Sequence, residues 1–107
     1  MPFQVLLTAK AEADSGAVLV WFHDEQAADA GGRWLAGLRT KLLSLESRPE
    51  RCGLAAEAIH VGEEVRELLV GRKRFKHRLL FVIHEKSVYI LRLWHSSRDA
   101  ITRDDLK

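Results

Sequence analysis

The residues able to do chemistry are concentrated between Glu64 and Arg98, EVRELLVGRKRFKHRLLFVIHEKSVYILRLWHSSR. This stretch reads as three strand-like runs joined by two short turns. A dense basic cluster, GRKRFKHR from Gly71 to Arg78, lies between the first two runs. An imidazole, His95, and a guanidinium, Arg98, close the third. Cations at the ends of apolar strands point to a surface made for phosphates, because guanidinium and ammonium groups bind phosphate oxygens by charge-assisted hydrogen bonds. The same charges would serve equally as a solvated face.

Charge placement sharpens the question. The formal net charge is only +2. Residues 1–50 carry 5 basic and 7 acidic side chains, and residues 51–107 carry 12 and 8. The basic excess belongs to the strand-rich half, as a polyanionic partner would require. One cysteine, Cys52, excludes an internal disulfide and fits a reducing cytoplasm. No general base has a fixed relation to Cys52, so it reads as a buried or idle thiol. One cysteine and five scattered histidines argue against a metal cluster, and no cofactor motif is seen. No apolar run approaches the ~18 residues of a membrane span. MPFQVLL lacks the basic n-region of a signal peptide.

These groups need a scaffold, and 107 residues read as one domain spanning 1–107. Residues 3–8, FQVLLT, form a first strand, with Thr8 as N-cap of a helix over Ala9 to about Asp24. Ala13, Ala17, Val20, Trp21 and Asp24 trace one face of that helix, and Glu12 and Asp14 fall near its positive end. His23 reads as a surface or capping residue. A second helix, from about Gln26 to Ser47, carries the stripe Ala27, Ala30, Trp34, Leu38, Leu42 and Leu45 and stops at Pro49. Gly31 and Gly32 interrupt it where two helices could approach closely. Residues 48–63 read as a loop with at most a turn of helix, and His60 within it as structural.

Strands follow at Glu64 to Val70, about Lys76 to His84, and Ser87 to Trp94. The last two are apolar on both faces, which places them centrally with cover on both sides. The tail from Asp99 is polar, with Ile101 and Leu106 as anchors for a short helix. The order β-α-α-β-β-β predicts an α+β fold, an antiparallel sheet packed against a two-helix hairpin.

In this order and spacing the segments resemble the RelE/ParE toxins of bacterial type II toxin–antitoxin (plasmid stabilisation) systems. The resemblance rests on the opening strand and Ala-rich hairpin (LLTAKAEAD to RWLAGLRTKLLSLESRP), the link RPERCGLAAEA, the strand pair VRELLVGRKRFKHRLLFVIHEKSVYIL, and the closing ILRLWHSSRD. It implies a cytoplasmic toxin neutralised by a cognate antitoxin whose amphipathic C-terminal segment crosses the basic groove. The RelE-like branch implies a metal-independent, ribosome-dependent mRNA endoribonuclease, in which a ribose 2′-hydroxyl attacks the adjacent phosphate. The ParE-like branch implies inhibition of DNA gyrase without RNA cleavage, and a degenerate toxin would bind antitoxin alone.

On the nuclease reading, Arg78 matches the phosphate-binding arginine of the third strand, its alternative being a structural partner of Glu64 or Glu67. His95 matches a family acid or base, a role that imidazole commonly takes. Arg98 lies near a second family arginine. Arg66 matches the arginine of the second strand, and Glu57 falls where some relatives place a catalytic carboxylate. Arg72, Lys73, Arg74 and Lys76 would contact ribosomal RNA in a salt-dependent way. The tail SSRDAITRDDLK lacks the base-stacking tyrosine of active nucleases. Phe75 or Trp94 would have to stack instead, although Trp94, like Trp34, also reads as core.

Overall fold

The computed structural model describes residues 2–98 and 100–106, and of His60 only the backbone. Asp99 and the expectation that His60 is structural therefore lie outside what is described. The chain runs β1 (Gln4–Leu7), α1 (Ala9–Asp24), α2 (Ala28–Ser44), a 3-10 turn (Pro49–Arg51), α3 (Ala58–Val61), β2 (Arg66–Val70), a second 3-10 turn (Lys73–Phe75), β3 (His77–His84), β4 (Ser87–His95) and α4 (Arg103–Leu106). Both helices of the hairpin and all four strands fall where periodicity placed them. Residues 48–63, expected as a loop with at most a turn of helix, hold one 3-10 turn and one turn of α-helix. Lys76 is no strand residue, because it caps the 3-10 turn that precedes β3.

The sheet order is β1-β4-β3-β2, an α+β architecture with β3 and β4 central. The β2–β3–β4 meander is antiparallel, as expected. β1 corrects the expectation of a wholly antiparallel sheet, because it pairs with β4 in parallel. The helical hairpin starts from β1 and residues 48–65 carry the chain to the far edge, so the first strand does not need to reverse against the last. β4 contains one bulge: Leu80 faces Arg92 and Phe81 faces Ile90, which leaves Leu91 as the extra residue.

β1 ends after four residues, and α1 then takes its place beside β4. Thr8 is the hinge of that exchange. Its hydroxyl oxygen accepts from the Ala11 amide, capping the helix, and its hydroxyl donates to the Ile90 carbonyl at 2.9 Å. α1 buries Ala11 and Phe22, with Val18 and Leu19 packed beside them. That face is not the stripe read from the sequence. Val20 and Trp21 are 59% and 46% exposed, so α1 carries a second apolar face that is only partly covered among the described residues. α2 behaves as predicted, burying Trp34 and Leu38, with Leu45 buried at its C-cap. Gly31, though not Gly32, marks close helix approach: a Cβ there would stand 2.9 Å from the Phe22 Cβ.

Two apolar clusters lie on opposite faces of the sheet. On the helix face, Phe22, Trp34, Leu79, Phe81, Ile90 and Leu93 pack with Cys52. On the other face, Val65, Leu80, Trp94 and Ile101 pack under the 55–61 segment and the tail. Full burial of one such aromatic or aliphatic side chain contributes roughly 1.5–3 kcal/mol. None of the described helices is long and apolar enough to cross a membrane.

Candidate functional site

Alternation along a strand decides which cations can meet. Arg78 pairs in register with Trp94, and His77 with His95. Trp94 belongs to the tail-side cluster, whereas His77 packs against Trp34 of α2. Arg78 and His95 therefore lie on opposite faces of the sheet and cannot act on one phosphate. This corrects the expectation that they share a site.

Arg78 is also held by two carboxylates. Its Nη1 and Nη2 donate to the two Glu57 carboxylate oxygens at 2.8 and 2.6 Å. Its Nε and Nη2 donate to Glu67 Oε1 at 3.2 and 2.9 Å. The side chains of Arg78 and Glu57 are 14% and 12% exposed. The fork of Arg78 holds the Glu57 carboxyl down at about 2, against burial, with a further contribution from the Ile101 amide. The same bonds push Arg78 above its ordinary value. Glu67, one of the two carboxylates expected to pair with Arg78, does so. The other partner is Glu57, so the proposed catalytic carboxylate and the proposed phosphate ligand neutralise each other. Arg66 is spent as well, donating through Nη1 to the carbonyls of Cys52 at 2.6 Å and Glu50 at 3.2 Å. It holds the 50–52 turn against the edge of the sheet.

The sequence reading missed a second ionic hub. Arg92 donates through Nε and Nη2 to the two oxygens of Asp14 at 2.7 and 2.9 Å, and through Nη1 to the Asp105 carbonyl at 2.9 Å. Asp14 also accepts from the Leu93 amide at 3.0 Å. Asp14 thus serves the β4 edge that β1 does not reach, instead of the helix dipole. A charged residue inside a strand apolar on both faces must be paired, and that was the available signal.

His95 has both ring nitrogens engaged. The Ser97 amide donates to Nδ1 at 3.0 Å, with the Ser97 hydroxyl 2.6 Å from the same atom. Nδ1 therefore carries the lone pair, and Nε2 donates to the Arg74 carbonyl at 2.7 Å. His77, buried edge-on against His95 and Trp34, bonds through Nδ1 to the Phe75 carbonyl at 2.9 Å. Burial pushes its pKa down, opposed by that hydrogen bond. The two imidazoles fasten the backbone of the basic loop.

In that loop Arg72, Lys73 and Arg74 are exposed and Lys76 is half-buried. Gly71, at φ +79°, makes the turn, and a Cβ there would strike the Phe75 carbonyl oxygen at 2.5 Å. Between the loop and α1 opens a cavity of about 530 Å³, walled by Val18, Trp21, Phe75 and Leu93 with Arg74, His95 and Arg98 at its polar side. Arg98 lies 3.6 Å from the centre of the Trp94 ring, a cation–π contact. Trp94 is 3% exposed, so it is core and not a platform for bases. Phe75 joins Trp21 and Phe22 in an aromatic group, with ring centroids 6.0 and 5.1 Å away. His23 is on the surface and Cys52 is buried. Among the described residues no group of three or more His, Cys, Asp or Glu side chains could hold a metal ion.

Comparison with known proteins bears on the whole arrangement. A family model described as the ParE toxin of type II toxin-antitoxin system, parDE, matches residues 5–100. A solved structure titled as the chromosomal ParDE TA system from P. aeruginosa superimposes with a TM-score of 0.71 at 19% identity, covering 87% of this chain and 95% of that one. No curated protein matches.

Proposed function

Since the chain belongs to the ParE toxin family of type II toxin–antitoxin systems, we propose that it acts by binding its target, with DNA gyrase the target class, and does not cut RNA. A cognate antitoxin holds it silent. The observation that carries this reading is the enclosure of Arg78 by Glu57 and Glu67. RNA cleavage needs a cation free to stabilise the extra charge on phosphorus and an acid or base facing the same atom. Here the strand-three arginine would have to abandon two carboxylates, and the histidine is on the other side of the sheet.

On this reading Arg78, Glu57 and Arg66 are scaffold, while Arg72, Lys73, Arg74, Lys76 and Arg98 form the cationic surface that meets a partner. The test is expression of the chain followed by primer extension on a translated message, together with a supercoiling assay on purified gyrase. The expected result is intact message and inhibited supercoiling. Message cleavage that disappears in His95→Ala would overturn the proposal in favour of a ribosome-dependent endoribonuclease acting on mRNA.

A further inference from the structure

His77 opens β3 and is 6% exposed, the one buried polar side chain among the described residues. Its Nδ1 lies 2.9 Å from the Phe75 carbonyl oxygen, which can only accept, so Nδ1 carries the proton. Nε2 then holds a lone pair, and burial, which lowers the pKa, keeps the ring neutral. No described residue hydrogen-bonds to Nε2. Trp34 Nε1 is the only fully enclosed side-chain nitrogen or oxygen without a partner among the described residues, so Nε2 of His77 meets open space. The space that His77 borders is the cavity of about 530 Å³ between α1 and the basic loop. A buried acceptor thus faces a cavity with nothing to bond.

We propose that this cavity is a binding site for a small neutral aromatic compound with one N–H or O–H donor, an indole or a phenol, whose donor bonds to His77 Nε2. The walls set the body of the ligand: Trp21, Phe22 and Phe75 supply aromatic surface, and Val18 and Leu93 aliphatic surface. The volume lies within the ~300–1,000 Å³ of small-molecule sites, which pair apolar walls with a few placed polar groups. The lone pair sets the polar group, because only a donor satisfies it. Neutrality follows from the neighbours. Arg74 in the lining repels a cation, and the lone pair and the Asp14 carboxylate repel an anion. Asp14 does not compete for the donor's role, since it is an acceptor already held by Arg92 and the Leu93 amide. The imidazole is also fixed in advance, by the Phe75 carbonyl and by edge contacts with Trp34 and His95 at 5.4 and 4.9 Å. The site is independent of the target proposed above.

The test titrates indole and benzofuran, the same shape without the donor, into the purified full chain. Imidazole nitrogen NMR reads His77 directly. The expected result is an unprotonated Nε2 in the free chain, which shifts upfield as indole is added. Indole is expected to bind about threefold or more tighter than benzofuran. Ala17→Trp crowds the cavity from an exposed position and is expected to abolish binding of both. His77→Phe is expected to remove the preference for indole while benzofuran still binds. Should that variant fail to fold, the nitrogen shifts and Ala17→Trp carry the test unaided. A proton on Nε2 in the free chain, an Nε2 signal indifferent to indole, or equal binding of the two probes overturns the proposal. So does failure of both to bind, or binding that survives Ala17→Trp.

Discussion

Arg78 and Glu57, one on β3 and the other just before α3, share two parallel hydrogen bonds of 2.8 and 2.6 Å across the tail-side face of the sheet. Glu57 also accepts from the Ile101 amide, so one carboxylate joins the sheet, the 55–61 segment and the tail. Arg78→Ala leaves both Glu57 and Glu67 without their cation. Removing one partner of a buried pair costs about 3–5 kcal/mol. Urea denaturation of the variant is expected to show a loss of that size. Arg78→Lys keeps the charge but not the fork, and is expected to recover only part of it.

The same pair fixes an acid limit. Glu57 titrates at about 2 in the folded chain, against 4.5 as its ordinary value. A depressed carboxyl stabilises the fold fully above the unfolded value, and the contribution is lost as pH falls from 4.5 toward 2. The size is about 2–3 kcal/mol, allowing for solvent at the rim. Denaturation midpoints measured between pH 5 and 2.5 are expected to fall steeply in the wild type. In Glu57→Gln they are expected to fall less, from a lower starting stability.

His77 has its own window, higher on the pH scale. Its pKa is lowered by burial, so the unfolded chain takes up a proton near 6.5 while the folded chain resists it. The unfolded state then binds more protons, and stability falls as pH drops below 6.5 toward the depressed folded value. Above 6.5 this contribution is complete. Thermal midpoints between pH 8 and 5.5 are expected to decline in the wild type and to be flatter in His77→Phe.

How much of this was legible depended on range. Local rules were sufficient for Thr8 as a cap, for the stripe Trp34, Leu38, Leu45 on α2, and for strands apolar on both faces becoming central. They could not decide between the two apolar faces of α1, because each recurs at helical spacing and only the position of β4 selects Phe22 over Trp21. Pairing across the sheet was similarly hidden. That Arg78 and His95 face opposite ways follows from the β3–β4 register, which a sequence read strand by strand does not contain. The candidate residues were recognisable by type, but their use by neighbouring carboxylates and carbonyls was settled by contacts between residues 11 to 79 positions apart.

Adjacent glycines give a sharper test of the helix packing. A Cβ at Gly31 would stand 2.9 Å from the Phe22 Cβ, whereas at Gly32 nothing lies within 4 Å. Gly31→Ala must push the two helices apart and is expected to cost about 1–3 kcal/mol. Gly32→Ala gains helix propensity at no steric cost and is expected to stabilise by about 0.5–1 kcal/mol. Opposite signs in the two denaturation curves are the expected outcome.

Asp14 closes the edge of β4 that β1 leaves open. Its carboxylate takes two bonds from Arg92 and one from the Leu93 amide, and Arg92 in turn holds the Asp105 carbonyl. Asp14→Asn removes the negative charge and one acceptor oxygen, leaving the Arg92 guanidinium, 14% exposed, without its counter-ion. The expected loss of stability is about 3 kcal/mol or more. The local signature is more telling. Hydrogen exchange is expected to quicken at the Leu93 amide and across residues 101–106, because both lose a fixed partner together. The Ile101 amide keeps its bond to Glu57 and should be the least affected of the tail. If instead the variant exchanged faster only at Leu93, Arg92 would be holding the tail without help from Asp14.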